Sequence, residues 1–122
     1  MDGLYESINN VGWRDKSLRY IFHIADAPPH GKRYTGGTGD GFPSGCPCGI
    51  EIEKLAASIK EKNIRYKLLK IGSYANTMAA EFKKEIEGYE ESDLDSAIQL
   101  EMKVSEILVR DIKQEEIDVI MD

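Results

Sequence analysis

Apolar residues recur along the chain with two different periods, which predict alternating helices and strands. Residues 3–11 space them three and four apart, as in an amphipathic helix. Residues 18–25 form an almost continuous apolar run, as in a buried parallel strand. Helical spacing returns in residues 50–62 and 74–87, and Ile64–Ile71 between them roughly alternates, which predicts a second strand nearer an edge than the first. This order predicts an α/β fold, a parallel sheet covered by helices.

A long segment, residues 26–49, interrupts this alternation after the first strand. It holds all four prolines and seven of the eleven glycines, a density that predicts a loop without regular structure. Loops of this length in compact domains are usually either functional or disordered. Asp26 comes directly after the strand, and open α/β sheets bind ligands beyond the carboxyl ends of their strands. Asp26 is therefore a candidate for chemistry or ion binding, and capping of the following turn is its alternative role.

The last third of the chain is strongly acidic. Residues 1–84 carry a formal charge of +4, whereas residues 85–122 carry −10. This asymmetry predicts an acidic helical extension, residues 89–122, that follows a body formed by residues 1–88. Ser92 and Asp95 have the spacing of a capping box, and apolar residues at helical spacing follow them. We expect that helix to cover the sheet or a partner, and its last eight residues fit a frayed helix, a short strand or a disordered end equally.

The composition of the chain argues against a nucleic-acid partner and against a membrane span. The basic residues of the body are scattered and the tail is acidic, so we expect no nucleic-acid partner. No apolar run is long enough for a membrane span, and no signal peptide is recognisable. Cys46 and Cys48 lie too close together to join distant elements, which favours reduced thiols and a cytoplasmic location. A zinc site at this pair lacks the second pair of ligands that a tetrahedral site needs.

Part of the sequence resembles a known family. The run from Gly3-Leu4 through Trp13-Arg14 into the strand and on to Lys32 resembles the C-terminal half of von Willebrand factor A-type domains. More narrowly, the segment His23-Ile24-Ala25-Asp26-Ala27-Pro28, with His30-Gly31 after it, resembles the subgroup attached to alpha-type protein kinases. The similarity covers roughly residues 3–87, including the order of loop, helix, strand and helix. The resemblance implies part of a Rossmann-like parallel sheet with flanking helices, to which the acidic C-terminal helix is added.

The resemblance also implies a metal-ion-dependent adhesion site at the carboxyl edge of the sheet. Asp26 matches, by position, the Asp that the third loop of such a site supplies to Mg²⁺. The Asp-x-Ser-x-Ser motif of the first loop does not occur in these 122 residues. Mg²⁺ needs several oxygen ligands, so one carboxylate with waters binds it only weakly. The sequence thus predicts that Mg²⁺ is held well only when other parts of a complete domain contribute.

These observations predict a non-catalytic module that binds a partner protein through the loops at the carboxyl edge. Asp26 is the predicted metal ligand, and His30 and Asp40 are the predicted ligand- or partner-binding residues of the glycine-rich loop. Two alternatives stay open. One is a regulatory or targeting segment of an alpha-type serine/threonine protein kinase whose catalytic domain lies outside this chain. The other is a small metal-assisted hydrolase that uses these three residues.

Two further expectations concern packing. His23 is predicted to be a structural histidine with satisfied hydrogen bonds, and Tyr74, Met78 and Phe82 are predicted to form the buried face of their helix. Self-association is expected through either the exposed sheet edge or the tail helix, because an unpaired edge strand invites pairing with another chain.

Overall fold

The computed structural model describes residues 1–37, 39–45 and 47–121. It shows a mixed α/β fold in which a parallel sheet is flanked by helices and followed by a long C-terminal helix, as predicted. The strands in the described ranges are β1 (Arg19–Ala25), β2 (Ile64–Ile71) and β3 (Glu90–Leu94). The helices there are α1 (Asp2–Asn9), α2 (Lys32–Thr35), α3 (Ile52–Glu61), α4 (Asn76–Glu85) and α5 (Leu100–Met121), with a 3₁₀ turn, Ala97–Gln99, before α5.

The strands lie in the order β1-β2-β3, so β2 is the central strand. Ala25 at the end of β1 is in register with Lys70, and Glu90 at the start of β3 is in register with Lys67. The prediction that β2 lies nearer an edge than β1 is wrong, because β3 pairs with its far side. Within the described ranges β1 pairs with β2 alone, which leaves its other edge free.

The third strand lies in the segment that was predicted to be helical. Four of the five residues of β3 are polar, so the sequence carries no apolar signal for a strand there. The capping box predicted at Ser92 and Asp95 is wrong, since Ser92 belongs to β3 and α5 begins only at Leu100. Lys70 of β2 reaches Glu91 and Asp93 at 3.4 and 3.5 Å. Main-chain pairing and these charge contacts hold the strand in the sheet.

Apolar side chains cover both faces of the sheet. On one face Ile8 of α1, Leu55 of α3 and Phe82 of α4 pack around Tyr66, and all four side chains are buried. His23 lies on this face with its Nδ1 2.6 Å from the Tyr66 hydroxyl, as expected of a structural histidine. Because side chains alternate along a strand, the neighbouring positions face the other side, where α5 covers them.

The cluster beneath α5 is smaller. Leu69 of β2 and Leu94 of β3 pack there against Ile107 of α5. Met102 and Val109 of the same helix are exposed on its outer side. Residues 115–121, whose structure the sequence left open, continue α5 as helix. Among the described residues no helix combines the length and the apolar character needed to cross a membrane.

The glycine- and proline-rich segment contains one short helix, so the prediction that it lacks regular structure is wrong there. Gly31 before α2 and Gly36 after it have φ of 120° and 71°, which side chains disfavour and glycine tolerates. Tyr34 of α2 is buried and meets the Phe82 ring edge-on at 5.9 Å. The segment is therefore anchored to the core. Tyr74, predicted to be buried, is instead 61% exposed because α4 begins two residues later.

Candidate functional site

Asp26 lies where the sequence placed it, directly after β1 at the carboxyl edge of the sheet, and it is exposed. The described ranges contain no group of three or more His, Cys, Asp or Glu side chains that could hold a metal ion. Asp26 offers one carboxylate, whereas Mg²⁺ takes six oxygen ligands as a rule. The described residues therefore do not form a complete magnesium site among themselves. Cys46, one of the two cysteines considered for zinc, lies outside the described residues.

His30 and Asp40 come together in the glycine-rich loop. Nδ1 of His30 lies 3.2 Å from Oδ1 of Asp40. The His30 ring also meets the Phe42 ring edge-on, with centroids 4.9 Å apart. The His30 side chain is 51% exposed, whereas that of Asp40 has no exposed surface. The histidine is thus oriented from one side and accessible from the other.

Asp40 organises the loop that carries His30. Its Oδ2 accepts hydrogen bonds from the main-chain N–H of Gly31 at 2.8 Å and from the Thr35 hydroxyl at 3.0 Å. Its Oδ1 accepts one from the main-chain N–H of Phe42 at 2.8 Å. Desolvation opposes the charge, but these hydrogen bonds outweigh it and lower the pKa of Asp40 below its ordinary value. Both oxygens are engaged inside the loop, so His30 is the member of the pair that a partner can reach.

Arg33 connects the same loop to two helices through ion pairs. From α2, its guanidinium contacts Glu53 of α3 at 2.6 Å and Glu81 of α4 at 3.0 Å. These carboxylates, Glu53 foremost, raise the pKa of Arg33 above its ordinary value. Sequence reasoning missed this role because the partners lie in separate predicted elements. The signal available was one arginine inside a loop, next to helices that carry glutamates among their exposed residues.

A cavity of about 440 Å³ lies at the end of the sheet opposite to Asp26, where β2 and β3 begin. Charged residues line much of it. Lys67 contacts Oε2 of Glu90 at 2.8 Å, and Arg110 contacts both oxygens of Glu90 at 2.7 and 2.8 Å. Arg110 first, and then Lys67, lower the pKa of Glu90 against the effect of burial. The lining charges thus neutralise one another within the protein. This arrangement stabilises the structure, and the candidate site stays at the carboxyl edge.

Comparison with known proteins supports part of the resemblance. The chain is 41% identical over 64 residues to the alpha-protein kinase vwkA of Dictyostelium discoideum. The match covers 52% of this chain and 10% of that protein, so the chain matches about a tenth of the length of this curated relative. No family model matches the chain, and no solved structure matches it. Half of the chain is thus similar to a short part of an alpha-protein kinase.

Proposed function

We propose that this chain is a non-catalytic protein-binding module of a larger protein, and that the loops at the carboxyl edge of β1 contact the partner. The observation that carries the proposal is the loop organised by Asp40. A segment rich in glycine and proline is held in one shape by a buried carboxylate, and it presents His30 half exposed. Recognition residues favour loops that a rigid scaffold positions, and open parallel sheets bind ligands at this edge.

The similarity to alpha-protein kinase vwkA supports the placement of this module within a kinase polypeptide. The matched region is about a tenth of that protein, which leaves most of its length for a separate catalytic domain. We infer that the module resembles a von Willebrand factor A-type domain in part and that catalysis resides outside these residues. Any Mg²⁺ at Asp26 would need ligands from beyond this chain, so the proposal assigns the contact to protein groups alone.

A second candidate function draws on the same histidine. A buried carboxylate that orients an imidazole is an arrangement used in general acid–base catalysis, and the 3.2 Å separation of His30 and Asp40 fits it. The His30–Asp40 pair is the observation that favours a small hydrolase as the second function, and a metal that assisted it would need ligands beyond the described residues. An exposed His30 is equally suited to binding a partner protein. The experiment therefore measures both the capture of the partner and the hydrolysis of a substrate.

Alanine variants at Asp26 and His30, which together are called the rim, test the two functions. Asp26→Ala and His30→Ala are introduced into the full-length protein, with Asp15→Ala, at a fully exposed side chain before β1, as the matched control. Proteins captured by each variant are quantified by mass spectrometry, and affinity is then measured with the purified partner. We expect the rim variants to lose about tenfold or more in affinity while the control retains it. Unchanged capture by both rim variants would contradict a binding role, and a hydrolytic activity lost with His30 would favour the second function.

A further inference from the structure

The outer side of α5, which faces away from the sheet, carries a stripe of exposed apolar residues. Met102 is 68% exposed, Val109 51% and Ile112 46%, and Ile98 in the 3₁₀ turn before the helix is 91% exposed. Ser105 lies among them and is also exposed. These five residues are called the outer stripe: Ile98, Met102, Ser105, Val109 and Ile112. Contiguous apolar surface of this kind marks a site of interaction.

The inner and outer sides of α5 have different environments. On the inner side, Ile107 is buried against Leu69 and Leu94 of the sheet. Val109 lies two residues further along, which in an α-helix of 3.6 residues per turn is a rotation of about 200°. The inner side therefore packs on the sheet, whereas the outer stripe borders a shallow groove of about 630 Å³. This groove is open to a second molecule.

The spacing of the outer stripe is that of a helix that pairs with another helix. Its residues lie four, three, four and three positions apart, which is the seven-residue repeat of two helices packed side by side. An extended strand, whose side chains repeat every two residues, does not match this spacing. Ser105 is small and lets two backbones approach at the middle of the stripe. The occupant that fits the outer stripe is therefore an α-helix.

Two charged residues beside the stripe favour a second copy of the same helix. Glu106 and Lys113 are exposed, lie seven positions apart on one side of the stripe and line the groove. When two copies of α5 pack antiparallel about a two-fold axis near Val109, Glu106 of each copy lies opposite Lys113 of the other. Parallel packing instead brings Glu106 of one copy close to Glu101 of the other, where like charges repel. Glu106 also lies 3.7 Å from Lys103 of its own chain, an exposed pair of low energy that does not prevent a contact across the interface.

We propose that α5 binds a second copy of α5 in the antiparallel direction, so that two outer stripes form the interface of a homodimer. The inference is independent of the proposed function, because it uses no residue of the rim. A membrane surface is a poorer occupant, since residues 100–118 carry six acidic and three basic side chains and anionic lipids repel them. A helix of 22 residues is about 33 Å long, so the interface is at the lower end of the range for stable complexes. We therefore expect a dissociation constant of about 10–100 μM.

Sedimentation equilibrium of the full chain over a range of concentrations tests the dimer. We expect the average mass to rise from one copy to two copies and to stop there, because a two-fold interface is closed. Val109→Glu places two like charges near the axis and is expected to raise the dissociation constant by about tenfold or more. Val11→Glu is the matched control, since Val11 is also 51% exposed, and it should dimerise like the unchanged protein. Circular dichroism checks that both variants are folded.

Charge reversal tests the antiparallel direction. Glu106→Lys and Lys113→Glu each place like charges opposite one another and are expected to weaken the dimer about three- to tenfold, as exposed ion pairs allow. The double variant restores opposite charges with their positions exchanged and is expected to recover most of the affinity. High salt should reduce these differences, since the pairs are exposed. A double variant that dimerises as weakly as the single variants would overturn the antiparallel assignment.

Other results would reject the dimer itself. The mass of a single copy at every concentration, or a dimer that Val109→Glu leaves unchanged, would overturn the proposal. Growth beyond two copies that Val109→Glu does not stop would assign self-association to the free edge of β1 instead. Partner capture by His30→Ala reports on the rim alone, so the failure of the proposed function and the failure of the dimer are seen separately.

Discussion

The ammonium group of Lys67 in the central strand lies 2.8 Å from Oε2 of Glu90 and 3.5 Å from Oδ2 of Asp111. Lys67 is only 7% exposed, and a buried charge is tolerated where opposite charges pair with it. Glu90 belongs to β3 and Asp111 belongs to α5. One side chain thus links the central strand to its neighbour and to the helix above it. The acidic segment thus supplies both carboxylates that pair with this lysine of the central strand.

Asp111→Ala should destabilise the protein. Asp111 accepts a hydrogen bond from the Tyr20 hydroxyl at 2.7 Å and faces Lys67, so its removal leaves partly buried donors with fewer partners. Because Glu90 still pairs with Lys67, we expect a loss of about 2 kcal/mol in the free energy of unfolding, less than for a fully broken buried pair. Urea denaturation measures it. Asp118→Ala, an exposed position on the same helix, is the control and should change stability by under about 0.5 kcal/mol.

Arg33→Ala should loosen the glycine-rich loop while the sheet stays intact. The substitution removes the contacts to Glu53 and Glu81 that join α2 to α3 and α4. Because Arg33 is partly exposed, we expect a cost of only about 1 kcal/mol in global stability. Limited proteolysis should nevertheless cleave the loop several times faster. Arg33→Lys keeps the charge but not the forked geometry and should be intermediate; equal cleavage of all three proteins would contradict the anchoring role.

Acid should weaken the loop through Asp40. Its pKa is lower in the folded chain than in the unfolded chain, so the ionised carboxylate stabilises the fold. That contribution is complete above the ordinary pKa of about 4 and disappears as the pH falls through the lowered value. Hydrogen exchange at Gly31 and Phe42, followed against pH, measures the loss. Asp40→Asn should remove this pH dependence, whereas Asp15→Asn, at a fully exposed side chain, should preserve it.

Mild acid should weaken the core through His23. Burial foremost lowers the pKa of His23 in the folded chain, so the unfolded chain binds a proton at a higher pH than the folded one. Stability should be complete above about pH 6.5 and should fall as the pH drops from there to the lowered pKa. His23→Phe should flatten this part of the stability profile. The chain has two histidines, and His30→Gln should leave the decline in place; a flat profile there would assign it to His30 instead.

The helices and strands that could be predicted are those with a buried face, because burial makes apolar residues recur at a regular spacing along the sequence. Ile64–Ile71 forms β2 with the predicted bounds because its side chains are buried alternately on two covered faces. β3 could not be predicted, because its mostly polar residues are held by main-chain pairing and by lysines of β2. α2 was missed because glycines at both of its ends resemble those of an irregular loop.

The same distinction applies to the candidate site. The sequence grouped His30 with Asp40, and they do meet, because both lie in one loop and a short chain connects them. The contact of His23 with Tyr66 could not be foreseen, since it depends on the register of β1 against β2. Local patterns thus identify which residues carry chemistry, while the topology decides which of them become neighbours.

The free side of β1 has a consequence for handling the protein. Leu18, just before this strand, and Ile24 within it are 47% and 46% exposed, beside peptide groups that no strand of the described ranges pairs with. Such an edge acts as a template onto which another extended chain can add. Purified material made of these residues alone is therefore expected to polymerise as its concentration rises, with a lag that added seeds shorten.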